Sequence, residues 1–124
     1  MMELDKKQQV LVAIYTEYQK DLPNMSSVNH ESLEMDEEIF VVALEKLLNE
    51  GLIIDVDFYL GGDYSLQTTK MTSYGLNYVE EKLGIEPTLS GAEKVKEVAK
   101  QATQFGYNEL KDFASKVVAE LLKG

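Results

Sequence analysis

The chain has 124 residues, 44% of them apolar and 27% charged, the composition of one folded domain rather than a disordered segment. Its net charge is −10 and its 12 basic residues are all lysine, so the arginine that makes most bidentate contacts to bases and phosphates is missing. The lack of cysteine excludes disulfides and thiolate chemistry.

No apolar run approaches the roughly 20 residues of a membrane span. The start, MMELDKKQQV, carries no secretory pattern, so a cytoplasmic protein is expected. Charge is spread unevenly. Residues 1–50 hold 4 lysines against 11 acids, residues 51–83 hold 2 against 5, and residues 84–124 hold 6 against 6. An acidic body is followed by a neutral tail.

Leu4, Gln8, Leu11, Ile14, Tyr15 and Tyr18 recur at helical spacing and predict a first helix over Asp5–Lys20, stopped by Leu22-Pro23-Asn24. Ser26–Leu33 is polar, has Val28 and Leu33 as its aliphatic anchors, and is read as a short second helix.

The stretch DEEIFVVALEKLLNEG then carries the clearest helix signal. Asp36 is placed to cap it, and Met35 can pack on Phe40 as a hydrophobic staple. Glu37 and Glu38 sit in the first turn, where the helix dipole favours negative charge. Phe40, Ala43, Leu44, Leu47 and Leu48 form the apolar stripe, and Gly51 suits the position after the helix.

Ile54, Val56, Phe58 and Leu60 alternate with Asp55, Asp57 and Tyr59, the period of a strand with one wet face. Gly61-Gly62-Asp63 supplies a turn, and Tyr64–Thr69 alternates back as a return strand. Such a hairpin needs helices to lie on.

Thr72 can cap a further helix carrying Leu76, Val79 and Leu83 and closed by Gly84. Ile85–Ser90 is a connector. Gly91–Lys123 is amphipathic, with Val95, Ala99, Ala102, Gly106, Leu110, Phe113, Val117 and Leu121 on one face.

This order predicts an α+β, mainly helical fold: a winged helix-turn-helix over residues 1–84 with a hairpin wing, and a C-terminal helical extension over 85–124. The extension either belongs to the same compact unit or forms a dimer seam. Unbroken, some 30 residues of helix would span about 45 Å, more than a small body covers, which favours a contact between molecules. A break at Gly106-Tyr107-Asn108 would remove that argument.

In winged-helix DNA readers the third helix enters the major groove and the wing touches the backbone. Here that helix offers Glu37, Glu38, Glu45, Lys46, Asn49 and Glu50, and the wing Asp57–Ser65 has two acids and no base. A like-charge pair at 4 Å costs about 1 kcal/mol even in bulk water, so DNA is disfavoured at both contact points.

Asp55, Asp57 and Asp63 do not form an EF-hand loop, because Leu60 and Leu66 stand where Gly and Glu are needed. His30 is the single histidine and lies in a polar stretch, which suits a solvated loop residue. No P-loop, G-x-S-x-G or G-x-G-x-x-G occurs. Neither an enzyme, a cofactor nor a metal site is expected, and mixed charge in the tail argues against membrane-surface binding.

The run MDEEIFVVALEKLLNEGLI and the segment KMTSYGLNYVEEKLG resemble the YjcQ-like proteins, small winged-helix proteins of Gram-positive bacteria and their prophages. The features that match are the acidic helix start, the L-x-x-E-G-L-I ending at Leu47–Ile53 and the T-x-x-G start at Thr72–Gly75, together covering about residues 4–84. The resemblance implies the winged-helix fold and brings no catalytic or ligand residues with it.

The expected function is a non-enzymatic interaction or regulatory module with a protein partner, or a homodimer through the C-terminal helix. Candidate contacts are Glu37, Glu38, Glu45 and Asn49 on the third helix, Tyr59 and Tyr64 on the wing, and Ala102, Gly106, Leu110 and Phe113 on the tail. The alternative is a DNA-binding transcription regulator using Lys6, Lys7, Lys96, Lys100 and Lys111, the last three on one flank of a continuous tail helix.

Overall fold

A computed structural model describes residues 3–123. Five helices and four two-residue strands follow one another: α1 (Lys6–Tyr18), α2 (Glu37–Asn49), β1 (Ile53–Ile54), β2 (Asp57–Phe58), β3 (Tyr64–Ser65), β4 (Lys70–Met71), α3 (Ser73–Leu83), α4 (Gly91–Phe105) and α5 (Asn108–Lys123). The order α1, turn, α2, wing is that of a winged helix-turn-helix, with three further helices.

Helix α1 opens on a capping box. Asp5 Oδ1 accepts from the Gln8 amide at 2.8 Å, and the Asp5 amide donates to Gln8 Oε1 at 3.0 Å. Its interior is apolar on every side, and all residues from Val10 to Glu17 are buried. A helix of that kind belongs at the centre of a core. Helix α2 covers one side, while α3, α4 and α5 also pack against it.

The second helix of the motif is reduced. Met25–Ser27 makes one 3-10 turn, and the chain then folds back through a turn in which Asn29 and Ser32 exchange hydrogen bonds. Polar residues that bond their own backbone neighbours compete with helix, so the predicted helix over Ser26–Leu33 does not form.

Helix α2 starts and ends as its sequence dictates. Asp36 Oδ1 accepts from the Glu38 amide at 2.9 Å. At the other end the amides of Leu52 and Gly51 donate to the carbonyls of Leu47 and Leu48, the paired bonds of a Schellman motif.

The wing differs from the predicted continuous hairpin. Strand β1 pairs with β4 (Ile53 with Met71) and β2 with β3 (Phe58 with Tyr64), in two separate ladders. Asp55 lies between them with φ +64°, a left-handed conformation rare for a side-chain-bearing residue. Its carbonyl accepts from the hydroxyls of Thr69 at 2.9 Å and Thr68 at 3.3 Å.

Beyond this kink the outgoing strand leaves the core. Ile54, Phe58 and Leu60, predicted to lie on the helices, are exposed, whereas Leu66 on the return strand is buried.

The tail is two helices rather than one. Gly106, at φ +74°, ends α4, and the Tyr107 amide donates to the Ala102 carbonyl at 2.9 Å. Glycine adopts that left-handed conformation without the strain a Cβ brings. Helix α5 then folds back along α4, and both lie against α1. One cluster of buried side chains runs from Leu4 through Val98, Leu110 and Val117, joining residues 1–84 and the extension.

Candidate interaction surface on the second long helix and the wing

The structure separates the predicted contact residues into surface and core. Glu37, Glu38, Glu45 and Asn49 are exposed on α2, and Tyr59 is exposed on the wing. Tyr64 is not a free contact. Its hydroxyl accepts from the His30 amide at 2.9 Å and lies 2.8 Å from His30 Nδ1, and its ring packs 5.1 Å from that of Phe40. Burial and nearby acids raise its pKa above that of a free tyrosine, against the lowering effect of the His30 amide.

His30 is therefore half-buried against Phe40 and Tyr64 rather than a solvated loop residue. It fastens the turn before α2 to the wing.

The tail candidates are corrected most. Ala102, Leu110 and Phe113 are buried within the chain, because the break at Gly106 lets α5 cover α4 and α1. They offer no seam to a second molecule in this fold. Gly106 is exposed, but its role is the helix end.

The break also separates the tail lysines. Lys96 and Lys100 are exposed on α4, while Lys111 is half-buried on α5 beside Asp112 at 3.3 Å. They do not form one basic flank. Lys6 is exposed, and Lys7 is bound to Glu50 at 2.7 Å.

Sequence reasoning missed a second apolar arc on α2. Ile39 and Val42 lie outside the buried stripe and are 47% and 44% exposed. With Ala43 they line an open groove of about 290 Å³ shared with the start of α1. Lys6, Lys7, Lys46 and Glu38 complete its lining. The signal was the unbroken run Ile39–Leu44, which is too apolar for a helix with only one buried face.

The tip of the wing was missed as well. Tyr59–Gly62 forms a β-turn closed by Gly62 N to Tyr59 O at 3.3 Å, and Leu60 at its apex is 104% exposed. Phe58 and Tyr59 are exposed beside it. Asp57 and Asp63 flank the tip, and neither has a lysine within ion-pair distance.

Elsewhere the polar groups of the interior are used structurally. Glu80 Oε2 accepts from Tyr15 Oη at 2.9 Å and from Lys94 Nζ at 2.8 Å. Glu17, also buried, takes the Asn24 amide at 2.8 Å and pairs with Lys20. Among the described residues no three His, Asp or Glu side chains are gathered to hold a metal ion, and no helix is long and apolar enough to cross a membrane.

A family model described as YjcQ protein matches residues 8–100. That span takes in most of α1, all of α2, the wing and α3, and most of α4. The chain belongs to the YjcQ family. The match runs past residue 84, where the motif resemblance to YjcQ proteins stopped, and it includes Ile39, Val42 and the wing tip. Searches of the curated proteins and of solved structures found no match.

The T-x-x-G motif of this YjcQ chain has a structural cause. Thr72 Oγ1 accepts the Gly75 amide at 2.9 Å and donates to the Gly51 carbonyl at 2.7 Å. A Cβ on Gly75 would stand 2.1 Å from the Leu52 carbonyl oxygen. The motif thus presses α3 onto the chain leaving α2.

Proposed function

We propose that this chain is a non-enzymatic interaction module, of bacterial or prophage origin, that binds a protein in the cytoplasm through the outward face of α2. The observation that carries the reading is the exposure of Ile39 and Val42 on that face. In a DNA reader the outward face carries polar side chains that reach base edges. Contiguous apolar surface in a groove is instead the mark of a protein contact. Glu38, Lys6, Lys7 and Lys46 form the polar rim around it, and Glu45 and Asn49 are exposed on the same helix. The acidic wing supports the same choice, since Asp57 and Asp63 would face phosphate.

The rival reading, a transcription regulator, draws on the exposed Lys6 and Lys46 beside the same groove. One titration separates the two. Labelled random-sequence duplex DNA at low salt is followed by fluorescence anisotropy as protein is added. No saturable binding is expected up to high micromolar protein. Micromolar binding that weakens steeply with salt, the signature of counterion release, would overturn the proposal.

A further inference from the structure

We propose that the groove between α1 and α2 receives the wing tip of a second copy of this chain. The inference rests on the reading of the α2 face as a protein-docking surface and names its occupant.

The two surfaces match in kind. The groove has an apolar floor of Ile39, Val42 and Ala43 under a rim of Lys6, Lys7 and Lys46, with Glu38 its one acid. That local ratio inverts the balance of a chain with 12 lysines and 22 acids. Among the described residues Lys6 and Lys46 have no ion-pair partner, while Lys7 is engaged by Glu50. The wing tip is the converse: Phe58, Tyr59 and Leu60 are exposed together, with Asp57 and Asp63 on either side in no ion pair among the described residues. Apolar surface meets apolar surface, and carboxylates meet ammonium groups.

The same chain does not satisfy both. Tyr64 and Phe40 hold the base of the wing, yet the tip remains exposed and the groove open. Leu60 in particular touches nothing that would explain a leucine at the apex of a turn made by two glycines.

A single hairpin tip covers less than the roughly 1,600 Å² of a standard interface. Two copies related by a two-fold axis exchange tips reciprocally and bury the contact twice, closing at the dimer. The association is therefore expected to be weak, concentration-dependent and sensitive to salt, because exposed charge pairs are screened over about 10 Å at 0.1 M ionic strength.

Sedimentation velocity of the full chain over a wide concentration range, at low and high salt, tests this. A dimer that dissociates as salt rises is expected. Val42→Glu in the groove and Leu60→Ser at the tip are each expected to weaken it about tenfold, the effect of losing about 1.4 kcal/mol. Both sites are exposed, so circular dichroism should show unchanged folding.

Mixing the two variants gives the sharper reading. The mixed dimer keeps one intact contact and gathers both lesions in the other, where their costs overlap rather than add, so the mixture should associate more tightly than either variant alone. A wild-type monomer at millimolar concentration overturns the inference, as does a dimer indifferent to both substitutions. A monomer that also ignores duplex DNA defeats the second-copy occupant and leaves the protein-docking reading standing. Micromolar duplex binding defeats that reading itself.

Discussion

The Tyr15 hydroxyl in α1 donates to Glu80 Oε2 in α3 at 2.9 Å, and both side chains are buried. Lys94 of α4 completes the group at 2.8 Å, so three helices meet on one carboxylate. Tyr15→Phe removes one donor and leaves the Lys94 pair. A loss of about 1–2 kcal/mol in urea unfolding is expected. Glu80→Ala should cost more, about 3 kcal/mol, since it strands a partly buried ammonium group and a buried hydroxyl together.

The same tyrosine sets a pH dependence. Burial first, then the Glu80 hydrogen bond, raises the Tyr15 pKa far above its ordinary value of 10.0. A group whose pKa is raised on folding contributes stability fully present below the unfolded value and lost as pH rises toward the folded one. Stability should therefore begin to fall above about pH 10 as the unfolded chain ionises its tyrosine first. Tyr15→Phe should show a shallower alkaline slope than wild type, measured as urea midpoints between neutral pH and pH 11. Equal slopes would count against this assignment.

Gly75→Ala tests the close approach of α3 to the chain after α2. The added methyl group meets the Leu52 carbonyl oxygen at 2.1 Å, so backbone must move. A destabilisation of about 3 kcal/mol is expected, at the upper end for overpacking. A loss below 0.5 kcal/mol, roughly the range of a surface change, would contradict the geometry.

Gly106→Ala tests the turn between α4 and α5. At φ +74° a Cβ is strained though it meets no neighbouring atom. The expected loss is about 1–2 kcal/mol of stability, with no new dimerisation. If the variant instead formed a stable dimer, the two tail helices would have fused and opened outward.

Tyr64→Phe keeps the ring on Phe40 and removes the hydroxyl that meets His30. Hydrogen exchange should then speed up at the wing, most clearly at the Tyr59 amide bonded to the Asp63 carbonyl. The amides of α1 should change little. Uniform acceleration across the chain would mean the clamp belongs to the global fold instead.

Local chemistry made much of this fold legible. Asp36, Thr72 and Gly51 occupy the helix boundaries that their side chains and backbone freedom suggest, and Gly106 breaks the tail. Burial was harder to read. A period of 3.6 locates Phe40, Ala43, Leu44 and Leu47 on the core face of α2, but it cannot say whether Ile39 and Val42 are covered from another quarter. In α1 the corresponding extra apolar residues are covered, because α4 and α5 close over them. The difference is one of tertiary supply, which no window of sequence contains.

The wing shows a second limit. Alternation from Ile54 to Leu60 satisfied the strand pattern, yet the left-handed residue at Asp55 divides the hairpin into two short ladders. Aspartate enters that conformation more readily than most side-chain-bearing residues, but the strand alternation on either side masks the signal. The candidate site is affected accordingly: alternation points Leu60 at the helices, yet it is exposed, and Leu110, a candidate contact by its place on the tail's apolar face, is buried.

Helix α1, buried on every side, has a consequence for how the protein is made. Its neighbours include α5, and the Leu4 amide is held by the Tyr107 hydroxyl 103 residues downstream. Contacts so distant in sequence form slowly, since a long loop must close first. During synthesis α1 leaves the ribosome before every helix that covers it, and with α2 packed on one side its apolar run Val10–Tyr15 stays partly unsheltered until α5 has emerged. The exposure of α1 to aggregation and to chaperones is thus greatest in the interval before α5 joins it.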